Sequence, residues 1–172
     1  DVNIAVDTVD TKSGAIEIKG DGKTNLELNG NNTVLVQNNW SEEHAAIEKA
    51  DKYGTEGTLT IKDDKYDDGS VKEKDENGNA VDGDTGKLLA GGGHQSAAIG
   101  GGGTSDTAYT SNITITGGEI TASGGSYGAG IGGGAYGAGT NIRIEGNAHV
   151  TAFSDSGAAI GSGYQSAGNS DI

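Results

Sequence analysis

Short apolar segments recur along the C-terminal half of the chain, with glycine-rich segments between them. One type places Ala and Ile before glycines and recurs at Ile99, Ile131 and Ile160, at nearly even spacing. A second type, Asn112–Ala122, recurs one repeat later as Asn141–Ala152. Apolar and polar residues alternate within this second type, as they do in strands that bury one face. The pattern therefore predicts short strands in a repeating unit.

Three strands in each repeat of about 29 residues predict an all-β parallel β-helix of about 4–5 coils, with like residues stacked on like. The predicted interior ladders are Ile113 on Ile142 and Ile172, Ile115 on Ile144, Ile120 on Val150, and Ile99 on Ile131 and Ile160. The glycines beside each Ala-Ile pair are expected at corners, because backbones approach closely there.

The N-terminal half fits the repeat more loosely. Asn25–Val36 matches the template of Asn141–Ala152. Ile47 lies too far before Ile99 for a single repeat, but removal of the acidic segment Asp64–Gly86 restores the spacing of one repeat. We therefore expect one coil to carry Asp64–Gly86 as an inserted acidic loop.

A helix over Ser41–Tyr53 is the competing interpretation of part of this half. Asn39 is a suitable N-cap, and helix propensity favours the segment. The repeat instead places Ala45–Glu48 in a strand or a corner, and we favour the repeat.

Composition limits the classes of function. The formal net charge is −14 and Arg143 is the only arginine, which argues against a nucleic-acid partner. The absence of Cys excludes disulfides and thiol chemistry, and no apolar run is long enough for membrane insertion. We expect a single β-helix domain over residues 1–172, most regular over 88–172. Because Ser170–Ile172 begins another repeat, we expect this domain to be a fragment of a longer protein.

The repeat resembles a known family. The pattern N-[IL]-x-[IL]-x-G-[GN]-x-x-[IV]-T-A, followed by GAGIGGG at Gly128–Gly134, resembles glycine-rich repeats of large surface and secreted proteins of Gram-positive bacteria. That resemblance implies a right-handed, pectate-lyase-like β-helix in an extracellular protein that is secreted or attached to the cell wall. Some relatives of this kind are described as carbohydrate-binding.

The tyrosines are the strongest candidates for ligand binding. Four of them occur beside the Ala-Ile-Gly-Gly segments: Tyr109, Tyr127, Tyr136 and Tyr164. Exposed rings along one edge of neighbouring coils can stack on sugar faces, since tyrosine is amphipathic. The alternative is that each ring only covers the apolar edge of its own coil.

Metal sites receive weaker support from the sequence. The acidic loop offers carboxylate and amide oxygens of the kind that Ca²⁺ prefers, at Asp75, Asn77, Asn79, Asp82 and Asp84. Ala80 and Gly86 replace the residues that an EF-hand requires, so an irregular calcium site or a simple solvated loop remains. The spacing of His44, His94 and His149 suggests surface positions and no zinc site.

These observations predict a non-catalytic, extracellular surface segment that acts as an adhesin or a glycan-contacting scaffold. A carbohydrate-binding module of a polysaccharide-degrading enzyme is the first alternative, and a truncated polysaccharide lyase or hydrolase is the second. For the second, Arg143 and Glu145 share an outward face, with Glu119 nearby. The expected partners are a polysaccharide or host glycan, other domains of the parent protein, and further copies that associate through open β-helix ends.

Overall fold

The computed structural model of the 172-residue chain describes residues 2–3, 14–36, 43–51, 57–63 and 85–167. In chain order the strands of these residues are β1 (Val2–Asn3), β2 (Ile16–Glu17), β3 (Lys23–Leu28), β4 (Asn31–Leu35), β5 (Ile47–Glu48), β6 (Thr58–Asp63), β7 (Lys87–Gly91), β8 (Ile99–Gly100), β9 (Thr110–Ile115), β10 (Glu119–Ser123), β11 (Ile131–Gly132), β12 (Gly139–Ile144), β13 (His149–Phe153) and β14 (Ile160–Gly161). Within this part of the chain, no helix is long and apolar enough to cross a membrane.

The strands form three parallel sheets. Sheet A has the order β1-β3-β6-β9-β12, sheet B the order β4-β7-β10-β13, and sheet C the order β2-β5-β8-β11-β14. The chain passes from sheet A to sheet B to sheet C in each turn, so strands β3 to β14 make four successive turns. The predicted parallel β-helix is confirmed as a parallel β-solenoid of about four turns.

The predicted ladders are confirmed wherever the structure describes them. The register partners are Ile99, Ile131 and Ile160 in sheet C, Ile113 with Ile142 and Ile115 with Ile144 in sheet A, and Ile120 with Val150 in sheet B. The isoleucines of the middle turns are completely buried. Burial of each such side chain favours the folded state by about 1.5–3 kcal/mol. Ile172 lies outside the described residues.

The register predicted for the N-terminal turn is wrong by two positions. Leu26 pairs with Ile61, which stacks on Ile115, so Leu26 belongs to the ladder of Ile144 and not to that of Ile142. In sheet B, Val34 likewise stands in the ladder of Ala152. A shift by two positions keeps every side chain on its predicted face, so the alternation of apolar residues alone cannot detect it.

The length of the repeat varies more than the sequence pattern predicts, and it averages about 32 residues. The number of residues that separate two register partners is smallest for Ile131 and Ile160 and larger for Ile99 and Ile131. It is larger again for Lys23 and Thr58. The differences lie in the connections between strands, because the strands themselves stay in stacked register.

The glycines that follow the stacked isoleucines lie at tight corners, as predicted. Gly100, Gly132 and Gly161 have φ values of 131°, 138° and 127°, which side chains of L residues rarely adopt. A Cβ atom on Gly132 would also overlap the carbonyl oxygen of Gly161 in the next turn. Both backbone conformation and close stacking therefore require glycine at this position.

The alternative helix over Ser41–Tyr53 is wrong for the residues described there. Residues 43–51 contain the strand β5 and no helix. Ile47 stacks on Ile99, as the repeat required once the acidic segment was set aside. Stacking of the buried Ala46 and Ile47 in the core outweighs the helix propensity of the segment.

The long connection of the second turn joins β6 to β7. Its two ends meet where the Gly86 amide donates a hydrogen bond to Asp63 Oδ1 at 3.1 Å. Asp63 is buried, and Gly86 lies against the Leu28 backbone of the preceding turn. The solenoid therefore continues across the base of this connection without a break in register.

Candidate functional site

One edge of the solenoid is formed by the corners on either side of the sheet C strands. The same main-chain hydrogen bond recurs there in successive turns: Gly103 N to Glu43 O at 2.7 Å, Ala135 N to Gln95 O at 2.7 Å, and Tyr164 N to Tyr127 O at 2.8 Å. Because this bond follows the repeat, the side chains of these corners come together along the edge. Only in the third of these bonds are the donor residue and the acceptor residue both tyrosines.

The rings at this edge make a continuous contact. The ring centroids of Tyr127 and Tyr164 are 5.3 Å apart with an interplanar angle of 43°. His94 meets Tyr127 on its other side at 5.2 Å, edge to face. Pairs in this distance range are favourable by about 0.5–1.5 kcal/mol beyond the area they bury. His94 is buried, Tyr127 is half-buried and Tyr164 is 38% exposed, so the contact runs from the core to the surface.

Tyr136 joins this group through its backbone. Its amide donates to the Tyr164 carbonyl oxygen at 2.8 Å. Its φ of 65° lies in the left-handed region, as does that of Gln165, its equivalent in the next turn, at 54°. This conformation is uncommon for a bulky residue, and the Tyr136 side chain is 55% exposed. We call His94, Tyr127, Tyr136 and Tyr164 the aromatic edge.

Tyr109 is not part of the aromatic edge. It is 46% exposed, and its carbonyl oxygen accepts a hydrogen bond from the Asp51 amide at 2.8 Å. Among the described residues, its ring makes no contact with another aromatic ring. The structure thus brings the rings of Tyr127 and Tyr164 together, connects Tyr136 to Tyr164 through a backbone hydrogen bond, and leaves Tyr109 apart from them.

His94 is a member of the edge that the sequence analysis placed at the surface. It is 5% exposed, and its carbonyl oxygen accepts a hydrogen bond from the Tyr127 amide at 3.2 Å. The sequence did give one indication of this role, because His94 lies shortly before Ile99, within the corner that precedes a sheet C strand. Its ring contact depends on corner geometry, which the repeat pattern alone does not specify.

The predicted calcium ligands cannot be placed. Asp75, Asn77, Asn79, Asp82 and Asp84 all lie outside the described residues. The calcium site stays a prediction.

A second surface feature lies on the outer face of sheet B. Lys87 Nζ and a Glu119 carboxylate oxygen are 3.0 Å apart on neighbouring turns. An open depression of about 530 Å³ lies beside this pair, lined by Thr85, Glu119, His149, Val150 and Thr151. The depression is polar and holds one carboxylate, which is already ion-paired.

The residues considered for catalysis are divided between two sheets. Arg143 lies in β12 of sheet A, whereas Glu119 opens β10 of sheet B. Arg143 Nε donates to Asn141 Oδ1 at 3.3 Å, and Asn141 Nδ2 donates to Asn112 Oδ1 at 2.5 Å across the turns. On this face the side-chain amides of Asn112 and Asn141 form a ladder across two turns, and Arg143 donates a hydrogen bond to it.

Ion pairs also link residues of the N-terminal turns. Lys49 Nζ and Asp51 Oδ1 form a buried pair at 2.6 Å, and Lys62 Nζ lies 3.2 Å from Glu27. Lys19 donates a hydrogen bond to Glu17, and that hydrogen bond together with the negative charge of Glu17 raises the pKa of Lys19. Lys19 is exposed, so this pair contributes little to stability.

Comparison with known proteins supports the architecture. A family model described as a beta helix repeat matches residues 113–135 and 142–164. These two segments coincide with the third and fourth turns, from sheet A through to the corner after sheet C. No curated protein and no solved structure matches the chain significantly. The comparisons thus identify beta helix repeats within the chain.

Proposed function

We propose that this chain is a non-catalytic, extracellular surface segment that contacts glycans through its aromatic edge. The observation that carries the proposal is the cross-turn ring contact of Tyr127 with Tyr164, to whose backbone the exposed Tyr136 is hydrogen-bonded. Sugars present patches of C–H groups that stack on aromatic rings, while the phenolic hydroxyl provides a hydrogen bond at the rim.

The rigidity of the edge supports binding. Tyr164 N bonds to Tyr127 O, and Tyr136 N bonds to Tyr164 O, so the three backbones form one hydrogen-bonded chain. His94 further fixes the Tyr127 ring from the buried side. A pre-organised surface loses less conformational entropy when a ligand binds, which favours affinity.

The charge of the molecule suits a neutral ligand. The net charge is −14, and residues 126–137 around the edge contain no charged side chain. An acidic polysaccharide would meet long-range repulsion from the rest of the chain. Neutral glycans are therefore the preferred class within this proposal.

The absence of catalysis is part of the proposal. A glycoside hydrolase of the common kind needs two carboxyl groups about 5–9.5 Å apart around the scissile bond. Glu119 borders the polar depression on sheet B, but its carboxylate is paired with Lys87. A truncated lyase or hydrolase remains the competing proposal, and release of sugar fragments from a polysaccharide would favour it.

A carbohydrate-binding module attached to a degrading enzyme would use the same edge. The two proposals differ in the glycan: a module binds the polysaccharide that its enzyme degrades, whereas an adhesin binds host glycans. Both place the protein outside the cell, secreted or attached to the cell wall, with further domains of the parent protein as neighbours.

A glycan array carried out with calcium and with chelator tests the proposal. We expect reproducible binding that is lost in Tyr164→Ala and Tyr136→Ala but kept in Tyr109→Ala, which removes a similarly exposed ring outside the edge. Equal loss in all three variants would contradict the assignment of the edge. Blank arrays in both conditions would contradict the proposed function. Loss of binding with chelator alone would bring the acidic loop into the site.

A further inference from the structure

Three potential metal ligands meet at the N-terminal turns, away from the aromatic edge. One ligand atom each of Glu17, His44 and Glu48 lies within 4.8 Å of the other two. Glu17 in β2 and Glu48 in β5 are register partners on neighbouring turns, and His44 lies in the corner that leads into β5. The cluster therefore depends on the stacking of two turns and is invisible as a sequence motif.

Glu48 is the centre of this cluster. Its side chain is 7% exposed, and the same carboxylate oxygen accepts from His44 Nδ1 at 2.9 Å and from the Ala45 amide at 3.2 Å. A backbone donor and a ring therefore fix the position of a buried carboxylate. Placing a second carboxylate, Glu17, beside it is electrostatically unfavourable unless a cation joins them.

The repeat shows that these carboxylates are not required by the fold. Glu48 pairs with Gly100, and the equivalent residues of the next two turns are Gly132 and Gly161. A small residue therefore fills this position wherever the solenoid is most regular. Among the described residues, glutamates replace it only in β2 and β5, the two neighbouring strands that lie beside His44.

Lys19 is the cation that contacts the cluster among the described residues. It pairs with Glu17 from a side chain that is 80% exposed. An exposed lysine of this kind can move into solvent without loss of packing, since surface ion pairs are weak. Glu17 can therefore exchange Lys19 for a metal ion.

We propose that Glu17, His44 and Glu48 form a binding site for a divalent first-row transition metal, with Zn²⁺ as its best-suited ion. Imidazole nitrogen with carboxylate oxygens is a common zinc donor set, whereas Ca²⁺ and Mg²⁺ prefer oxygen ligands alone. Three protein ligands leave a fourth position for water. The bound metal links β2 to β5 and so fastens one turn to the next.

Binding of Zn²⁺ to the whole chain, first treated with chelator, tests the site by calorimetry at neutral pH. We expect one saturable site that Glu17→Gln and His44→Gln each weaken by about tenfold or more, the magnitude common for metal-site disruptions. Glu119→Gln and His149→Gln are matched controls on the outer face of sheet B and should leave the affinity unchanged. Glu17 is used because the buried Glu48 also contributes to packing.

A second readout separates metal binding from a change in folding. Co²⁺ bound at this site should give visible absorption bands that disappear in Glu17→Gln and persist in Glu119→Gln, while circular dichroism is the same for both. The absence of saturable Zn²⁺ binding would overturn the site. So would binding that Glu17→Gln and His44→Gln reduce no more than the two controls, since other acidic residues would then be responsible.

Discussion

Glycine at the corner of sheet C is the residue on which close stacking of the turns depends most directly. Gly132 has a φ of 138°, and the carbonyl oxygen of Gly161 in the next turn already fills the position that a Cβ atom on Gly132 would take. Gly30 has a φ of 64°, yet a Cβ there would meet no atom within 4 Å. The two positions separate the cost of backbone conformation from the cost of steric overlap.

We expect Gly132→Ala to lower the free energy of unfolding by at least about 3 kcal/mol, because strain and overlap add at this position. Gly30→Ala is the control and should cost only about 1–2 kcal/mol, the cost of a left-handed conformation in an L residue. Urea denaturation followed by circular dichroism measures both. Equal losses in the two variants would mean that the turns do not approach as closely as the structure indicates.

At the scale of elements, the long connection between β6 and β7 is the main departure from the repeat. Asp63 closes its base by accepting the Gly86 amide at 3.1 Å, and both residues are buried. A buried donor that loses its acceptor carries a desolvation cost of about 1–3 kcal/mol. This single side chain therefore helps to keep β6 and β7 in the same turn.

Asp63→Ala should destabilise the protein by about 1–3 kcal/mol, because the Gly86 amide loses its acceptor. Asp63→Asn keeps an acceptor oxygen and should recover most of the loss. Amide hydrogen exchange at Gly86 provides a local measurement, with faster exchange expected only in the alanine variant. Unchanged exchange in Asp63→Ala would show that this bond does not hold the base of the connection.

The elements could be predicted well where residues recur in phase. The register of Ile99, Ile131 and Ile160 could be predicted because a similar segment of Ala and Ile occurs three times and a glycine follows the isoleucine each time. Leu26 and Leu28 alternate with polar residues, and such alternation fits two registers that differ by two positions. The repeat averages about 32 residues because connections differ in length, and connection lengths have no signature in the apolar pattern.

The candidate site was only partly predictable for a related reason. The tyrosines were identifiable because they stand beside the repeated corners. Which of their rings meet depends on corner hydrogen bonds such as that from the Tyr164 amide to the Tyr127 carbonyl oxygen. Glu17 and Glu48 belong to different turns and lie far apart in the sequence, so only the stacking of turns brings them together.

At the scale of the whole molecule, burial decreases toward the last described turn. Ile113 and Ile115 are fully buried in the third turn, whereas Ile144, the register partner of Ile115, is 38% exposed. The exposed Ile144 side chain therefore makes the fourth turn suited to association with another apolar surface.

We propose self-association through the fourth turn as a property of the isolated chain. Light scattering should show a mass that rises with concentration, because association removes the exposed Ile144 side chain from water. Ile144→Lys should suppress the rise, whereas Leu89→Lys should not, because Leu89 is similarly exposed but lies on β7, inside sheet B. A monomer at every concentration would contradict this proposal.

Glycan binding at the aromatic edge is the central claim about the function of this molecule. The most direct measurement is an NMR titration of the tyrosine ring C–H signals with the glycans that the array selects. We predict saturable shifts at Tyr136 and Tyr164, smaller shifts at Tyr127, and none at Tyr109. Shifts confined to Tyr109 or to His149 in the sheet B depression, or the lack of any ring shift, would contradict the claim.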